Sequence, residues 1–336
     1  MTGPVPVGVL TGFLGAGKTT LLNRLLADPA FAGTAVIVNE FGEIGIDHLL
    51  VEAVDGDMLT LTTGCLCCAA RGDLLAAVES LLARRETLGF ARIVIETTGL
   101  ADPGPVLNAL LLGPVLAGTA ASGGVLTLVS AVDGGAVLDR HDEARRQVAV
   151  ADRILITKSD LAPHAIEGLS ARLAGLNPAA PVADAREEPP RLALFEPGPV
   201  PRPPAAAGHH HHHAADARIR SAVLTGGTVD AAALGAFVAE LQRRHGAALL
   251  RLKGLASLRQ DPDQPAVIQA IGHLLHPASR LDRWPGGERG TRLVAILDGV
   301  APAEVAALWD AFFGQPAIDR PDAAALAGHG GAGLFA

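Results

Sequence analysis

The residues Gly12-Phe13-Leu14-Gly15-Ala16-Gly17-Lys18-Thr19 carry the spacing G-x-x-x-x-G-K-T. They follow an apolar run, Val5 to Leu10, and precede leucines at helical spacing, Leu21, Leu22, Leu25 and Leu26. In a strand–glycine loop–helix context, backbone N–H groups converge on phosphate oxygens at the helix N-terminus. Gly12, Gly15, Ala16, Gly17, Lys18 and Thr20 are the expected cradle, with Lys18 on the β- and γ-phosphates and the Thr19 hydroxyl on Mg2+. A second reactive group, Cys65-Leu66-Cys67-Cys68, holds every cysteine in the chain. Three cysteines so close together cannot be a disulfide framework. Thiolates suit Zn2+ and Cu+, and Zn2+ usually takes four donors. The cysteines supply two or three, which leaves a position for water, His or a carboxylate such as Glu43. A shell left incomplete by the protein suits handing a metal on. Buried apolar cysteines are one alternative, and a thiol switch through Cys67 and Cys68 is another, although a disulfide between sequence neighbours is strained.

Further polar groups fall where strands should end. Ile93-Val94-Ile95 runs into Glu96-Thr97-Thr98-Gly99. In nucleotide hydrolases an acid at this point holds Mg2+, usually through water, and the glycine N–H meets the γ-phosphate. Lys18, Glu96 and Gly99 are therefore the expected catalytic set. Ile154-Leu155-Ile156 runs into Thr157-Lys158-Ser159-Asp160. An Asp here can accept from the guanine N1–H and 2-amino groups, which adenine lacks, and Lys158 can lie along the base. A buried Asp without those donors is costly, so guanine is expected over adenine. His209 to His213 lie mid-chain in a Pro- and Ala-rich stretch and could bind Zn2+, Co2+ or Ni2+ without fixed geometry; a functionless low-complexity linker is the equal alternative.

The elements that must position these groups alternate. Strands are expected at 5–10, 35–38, 93–95, 125–132 and 154–156, with a short apolar run at 58–61 and helices at 18–27 and 73–83. Apolar strands alternating with helices, polar at their C-terminal ends, indicate a mainly parallel α/β sheet covered on both faces. Ligands in such sheets bind beyond the C-terminal strand ends. Asn39 to Asp47, rich in glycine and acid, falls where a mobile switch is expected. The division expected is a nucleotide-binding domain over 1–186, a Pro/Ala/His-rich linker over 187–216, a smaller α+β domain over 217–327 and a disordered tail over 328–336. In the second domain strands are expected at 219–224, 249–252, 267–271 and 293–297, and helices at 230–244 and 302–313.

Composition restricts the partners. Hydrophobic residues make up 49% of the 336, so a sizeable core is available, built from Leu, Val, Ile and Ala because aromatics are scarce. The formal charge of −8 argues against nucleic acid or an anionic membrane as the main partner. No apolar run reaches the length of a membrane span and the N-terminus has no basic region before its first strand, so a cytoplasmic protein is expected.

Taken together, the glycine loop continued by Thr20, Val38-Asn39-Glu40-Phe41-Gly42-Glu43, Gly64-Cys65-Leu66-Cys67-Cys68, Glu96 to Pro103 and the Lys-x-Asp run resemble the CobW family of metal-handling GTPases, relatives of UreG and HypB. Arg251-Leu252-Lys253-Gly254, Trp284-Pro285 and Arg292-Leu293-Val294 look like that family's C-terminal domain. The resemblance implies a P-loop GTPase with slow intrinsic hydrolysis, using GTP and Mg2+. It implies a Zn2+ or Co2+ site at the Cys-x-Cys-Cys loop and a metallochaperone role. The implied partners are a client metalloprotein or an enzyme of the cobalamin pathway, and a metal- or GTP-dependent dimer. The family's guanine motif often begins with an Asn that ties the base loop to the phosphate loop. Thr157 stands there in this chain and is expected to replace only part of that tie. A small-molecule phosphotransferase and a passive metal store remain the other classes.

Overall fold

A computed structural model describes residues 3–39, 50–54, 58–63, 71–112, 118–188, 195, 218–276, 279–285 and 289–314. Glu43, Cys65, Cys67, Cys68, the histidine run 209–213 and the tail 328–336 lie outside the described residues. So does most of the expected linker.

In chain order the first unit contains β1 (Val5–Gly12), α1 (Lys18–Leu26), β2 (Thr34–Asn39), β3 (Leu50–Val54), β4 (Met58–Thr63), α2 (Arg71–Ala83) and α3 (Arg85–Leu88). It continues with β5 (Arg92–Glu96), α4 (Pro103–Leu112), β6 (Ala120–Ser130), α5 (Gly134–Arg140), α6 (Asp142–Ala149), β7 (Arg153–Thr157), α7 (Ile166–Leu176) and β8 (Val182–Asp184). These strands form one eight-stranded sheet in the order β3-β4-β2-β5-β1-β6-β7-β8. Every neighbouring pair is parallel except β3 with β4. The central strands are buried along nearly their whole length, as the uninterrupted apolar runs of β1, β5 and β7 require. Apolar clusters lie on both faces. One gathers Ile37, Leu74, Val78, Leu81, Phe90 and Ile95, and another gathers Leu10, Leu22, Leu25, Phe31 and Leu126.

The second unit contains β9 (Ile219–Gly226), α8 (Ala231–His245), β10 (Leu249–Leu258), β11 (Asp261–Ile271), β12 (Leu274–Leu275), β13 (Ser279–Arg280), β14 (Thr291–Asp298) and α9 (Pro302–Phe313). Its strands form an antiparallel sheet in the order β12-β11-β10-β14-β9, with β13 paired to β11. Helix α8 buries Leu234, Phe237, Val238 and Leu241, spaced to make one face. Asp230 caps it by accepting from the N–H groups of Ala232 and Ala233, a motif that contributes about 1 kcal/mol. Phe237 meets Trp309 of α9 edge-on at 5.0 Å between centroids, which locks the two helices over one face of the sheet.

The opposite face of that sheet packs on the first unit. Ile219, Val294 and Ile296 join Ala149 and Ala179, and Ile271 joins Val9, Leu107, Val125 and Val150. At the centre of this contact sits a buried ionic group. Asp152, just before β7, accepts from Arg251 and from Lys253 Nζ at 2.7 Å, while its other oxygen accepts from the Val125 N–H at 2.9 Å. The Arg251 guanidinium also donates to the Val150 carbonyl. Burial alone would raise the Asp152 pKa, but the charges of Arg251 and Lys253 outweigh it and hold the carboxyl below its ordinary range.

The expected strands are present, several with wider limits. β4 extends two residues past the apolar run, through Thr62 and Thr63, because it pairs with β2 as far as Asn39. β3 was not expected; it joins as an antiparallel edge strand directly after the acidic segment. β8 was also missed, being three half-buried residues long. β10 and β11 form one long hairpin across Arg259 and Gln260. The apolar pattern had suggested only 249–252 and 267–271, because Lys253 interrupts it. That lysine is 1% exposed and tolerated there by its pairing with Asp152. Phe195, within the stretch expected as a linker, is buried beside Gly8 and Phe31. Among the described residues, no helix is long and apolar enough to cross a membrane.

Candidate functional site

Register places the candidate groups at one edge of the parallel sheet. Leu10 of β1 and Val38 of β2 both pair with Glu96 of β5, Gly12 pairs with Leu128 of β6, and Ser130 pairs with Thr157 of β7. The loops that follow these strands therefore leave the sheet side by side. Asn39 pairs with Thr63, so the chain enters the cysteine segment from this same edge.

The glycine loop turns from β1 into α1 through Gly17, which caps the helix at φ 90, a left-handed conformation strained for any residue with a side chain. No side chain caps this helix end, so its first N–H groups point into the loop. Lys18 is buried and folds back over the turn, its Nζ donating to the Gly12 carbonyl at 2.7 Å and to the Phe13 carbonyl at 3.3 Å. Gly15 and Thr20 are exposed and Ala16 is buried beneath the loop. Thr19 Oγ1 donates to Glu96 Oε1 at 3.1 Å. A hydroxyl and a carboxylate so placed are both hard oxygen donors, which fits Mg2+.

The segment after Glu96 is fastened to the glycine loop. Thr97 N–H donates to the Leu10 carbonyl at 2.9 Å and its hydroxyl donates to Thr11 Oγ1 at 2.8 Å. Gly99 crosses the glycine loop so closely that a Cβ there would lie 2.6 Å from the Leu14 nitrogen. Only glycine permits that approach, and it holds the Gly99 backbone against the glycine loop.

On the other side, Thr157 Oγ1 donates to the Ala16 carbonyl at 2.7 Å. This one hydroxyl bond is the link that Thr157 makes to the glycine loop, in keeping with the partial tie expected of a threonine. Lys158 adopts φ 55, the one non-glycine positive φ among the described residues, and both it and Asp160 project to solvent. Ser159 is buried and donates to Asp184 Oδ1 at 2.7 Å. That same oxygen accepts from the Arg186 N–H at 2.9 Å. Asp184, at the end of β8, thus braces the base loop. Sequence reading missed it because a lone Asp closing a three-residue, half-buried strand carries no signal.

The expected nucleotide groups thus lie together: the glycine loop with Lys18, Thr19 and Thr20, then Glu96 and Gly99, then Thr157, Lys158 and Asp160. No group of three or more His, Cys, Asp or Glu residues arranged to hold a metal occurs among the described residues.

The family profile described as "CobW/HypB/UreG, nucleotide-binding domain" matches residues 6–184, and that described as "Cobalamin synthesis protein cobW C-terminal domain" matches residues 219–313. The zinc chaperone YjiA of Escherichia coli is 44% identical over 181 residues, which are 53% of this chain and 57% of that protein. The match thus spans little more than half the length of that relative. The zinc chaperone CobW of Pseudomonas aeruginosa is 33% identical over an alignment covering 90% of each chain. Among solved structures, the Zn(II)-bound YjiA GTPase from E. coli superposes with a TM-score of 0.74 at 30% identity, covering 92% of this chain and 99% of that one.

Proposed function

Because this chain belongs to the CobW family, we propose that it is a GTP-hydrolysing metallochaperone that carries Zn2+ to a client metalloprotein. The observation that carries the reading is the shared sheet edge. The glycine loop, Glu96, the base loop and the entrance to the cysteine segment all leave the sheet there, so a ligand at one bears on the others.

In this reading the N–H groups of the glycine loop and Thr20 bind the phosphates. Lys18 exchanges its two carbonyl acceptors for β- and γ-phosphate oxygens. Thr19 and Glu96 would hold Mg2+, which would supply neutralisation of the phosphate charge. The Gly99 N–H, held against Leu14, meets the γ-phosphate. Thr157 fixes the base loop, Asp160 reads guanine and Lys158 covers its face. Cys65, Cys67 and Cys68, with Glu43 as a further donor, take Zn2+ as cargo; Co2+ is the second candidate. The γ-phosphate orders the Glu96–Gly99 segment, and hydrolysis relaxes it and re-orients the cysteine loop for transfer. The similarity to the zinc chaperones YjiA and CobW supports zinc.

The test is a zinc titration in the presence of GDP and of a non-hydrolysable GTP analogue, alongside Cys67→Ser. Coupling between such sites is typically about 5–150-fold in affinity and must be reciprocal. Equal zinc affinities in both nucleotide states would end the coupled reading, and unchanged zinc binding in Cys67→Ser would remove the site.

A further inference from the structure

One helix holds the phosphate-facing loop from behind. Gln147 of α6 is 1% exposed, and its Nε2 donates to the carbonyls of Gly99 at 3.2 Å and Ala101 at 3.1 Å. Its neighbour Arg146 reaches the same loop, with Nη1 on Asp102 at 2.9 Å. The other arm of that guanidinium, Nη2, meets Asp298 at 3.0 Å, at the end of β14 in the C-terminal sheet. Arg218 of the C-terminal unit also pairs with Asp298 and comes within 3.9 Å of Asp142 at the start of α6.

The helix itself has little freedom. Thr127 Oγ1 donates to the Gln147 carbonyl at 2.9 Å. The buried Asn177 donates Nδ2 to the carbonyls of Val148, Ala149 and Ala151, and Arg251 takes that of Val150. A second route runs in parallel. The loop continues into α4, whose Leu107 shares an apolar cluster with Ile271 of β11. A planar fork holding one carboxylate from each unit fixes a relative geometry that a single point charge could not.

We propose that Arg146 and Gln147 are positioning residues for the phosphate-facing loop, and that Asp298, through Arg146, makes the C-terminal domain part of that loop's support. The nucleotide state of the loop and the placement of the C-terminal domain are then coupled in both directions. The role in turnover rests on the GTPase reading above; the mechanical link does not.

The experiment uses the full chain and two readouts. In nucleotide-free protein, hydrogen exchange is followed in peptides spanning residues 97–107. Arg146→Met and Asp298→Asn should shift these peptides to faster exchange, while Glu240→Gln, which breaks two ion pairs within α8, should not. In GTP turnover, Asp298→Asn should lower kcat about fivefold, with KM changed less than about twofold, the pattern of support lost in the transition state rather than in substrate binding. Arg146→Met should do the same, and the double variant should be no worse than Arg146→Met alone. Arg146→Lys keeps the charge but cannot fork, so it should recover only part of the loss, and it carries the test if Asp298→Asn melts below Glu240→Gln. Loop exchange unaltered by Asp298→Asn and Arg146→Lys overturns the proposal, as do additive effects in the double variant. A responsive loop in a wild-type protein without turnover would instead reject the GTPase reading and leave the link standing.

Discussion

The Thr157 hydroxyl donates a 2.7 Å hydrogen bond to the carbonyl of Ala16 and so joins the base loop to the phosphate loop. Both residues are buried, so the bond cannot be replaced by solvent without rearrangement. Thr157→Val keeps the shape and removes the donor. A hydrogen bond contributes about 0.5–1.5 kcal/mol, so GDP affinity should weaken about 2–13-fold, and fluorescent-nucleotide titration measures it. Thr157→Asn should bind at least as well as wild type. Unchanged binding in Thr157→Val would mean that the base loop is fixed elsewhere, with Ser159 and Asp184 the next place to look.

Lys18→Ala and Glu96→Gln separate binding from turnover. Lys18 would meet both phosphates, so its loss should weaken nucleotide binding and stop phosphate release together. Glu96 meets the Thr19 hydroxyl, so its expected role is at Mg2+. Glu96→Gln should bind GDP within a few-fold of wild type yet lower kcat by about 100–1,000-fold, the scale of losing one preorganised electrostatic group. Phosphate release at saturating GTP is the measurement, and near-normal kcat in Glu96→Gln would take that residue out of the reaction.

The buried Asp152 group should be costly to break and cheap to replace. Asp152→Ala removes the buried carboxylate that both Arg251 and Lys253 meet, and should cost about 3–5 kcal/mol in urea unfolding. Converting all three to well-packed apolar residues should come close to wild-type stability or exceed it. If Asp152→Ala costs under about 1 kcal/mol, water reaches this interface and the group is not the lock described.

His276 gives a pH signature. Burial, then the charge of Arg251, push its pKa below the ordinary 6.5, and Asp152 opposes them only in part. Its Nε2 makes no hydrogen bond among the described residues. Below about pH 6.5 the unfolded chain takes up a proton that the folded chain refuses, so stability falls as pH drops from 6.5 toward the lower folded value. His276→Gln should remove that part of the slope between pH 7.5 and 5.5 in paired urea melts. Parallel slopes in the two proteins would assign the effect to other histidines.

What the sequence revealed and what it hid differ in range. The glycine loop, Glu96-x-x-Gly99 and Lys158-x-Asp160 could be read because each is a local run at the end of an apolar strand. Gln147, Arg146 and Asp298 could not. Arg146 and Asp298 are 152 positions apart, and nothing near either residue in the chain announces the other. Lys253 misled in the opposite sense. A charge in an apolar run normally ends a strand, and here it lies mid-strand because its counter-charge comes from Asp152 in the other unit. Asp184 and β8 were hidden by brevity, since three half-buried residues have no usable period.

The Asp152 group also limits how these two domains can be recombined. The cations sit two residues apart on β10, and the carboxylate that both of them meet belongs to the other domain. A C-terminal domain grafted onto a foreign nucleotide-binding domain would lose the carboxylate that meets both cations. A chimera built from relatives should therefore fold only when the Asp152 position travels with Arg251 and Lys253, which makes the pair of domains, rather than either one, the exchangeable part.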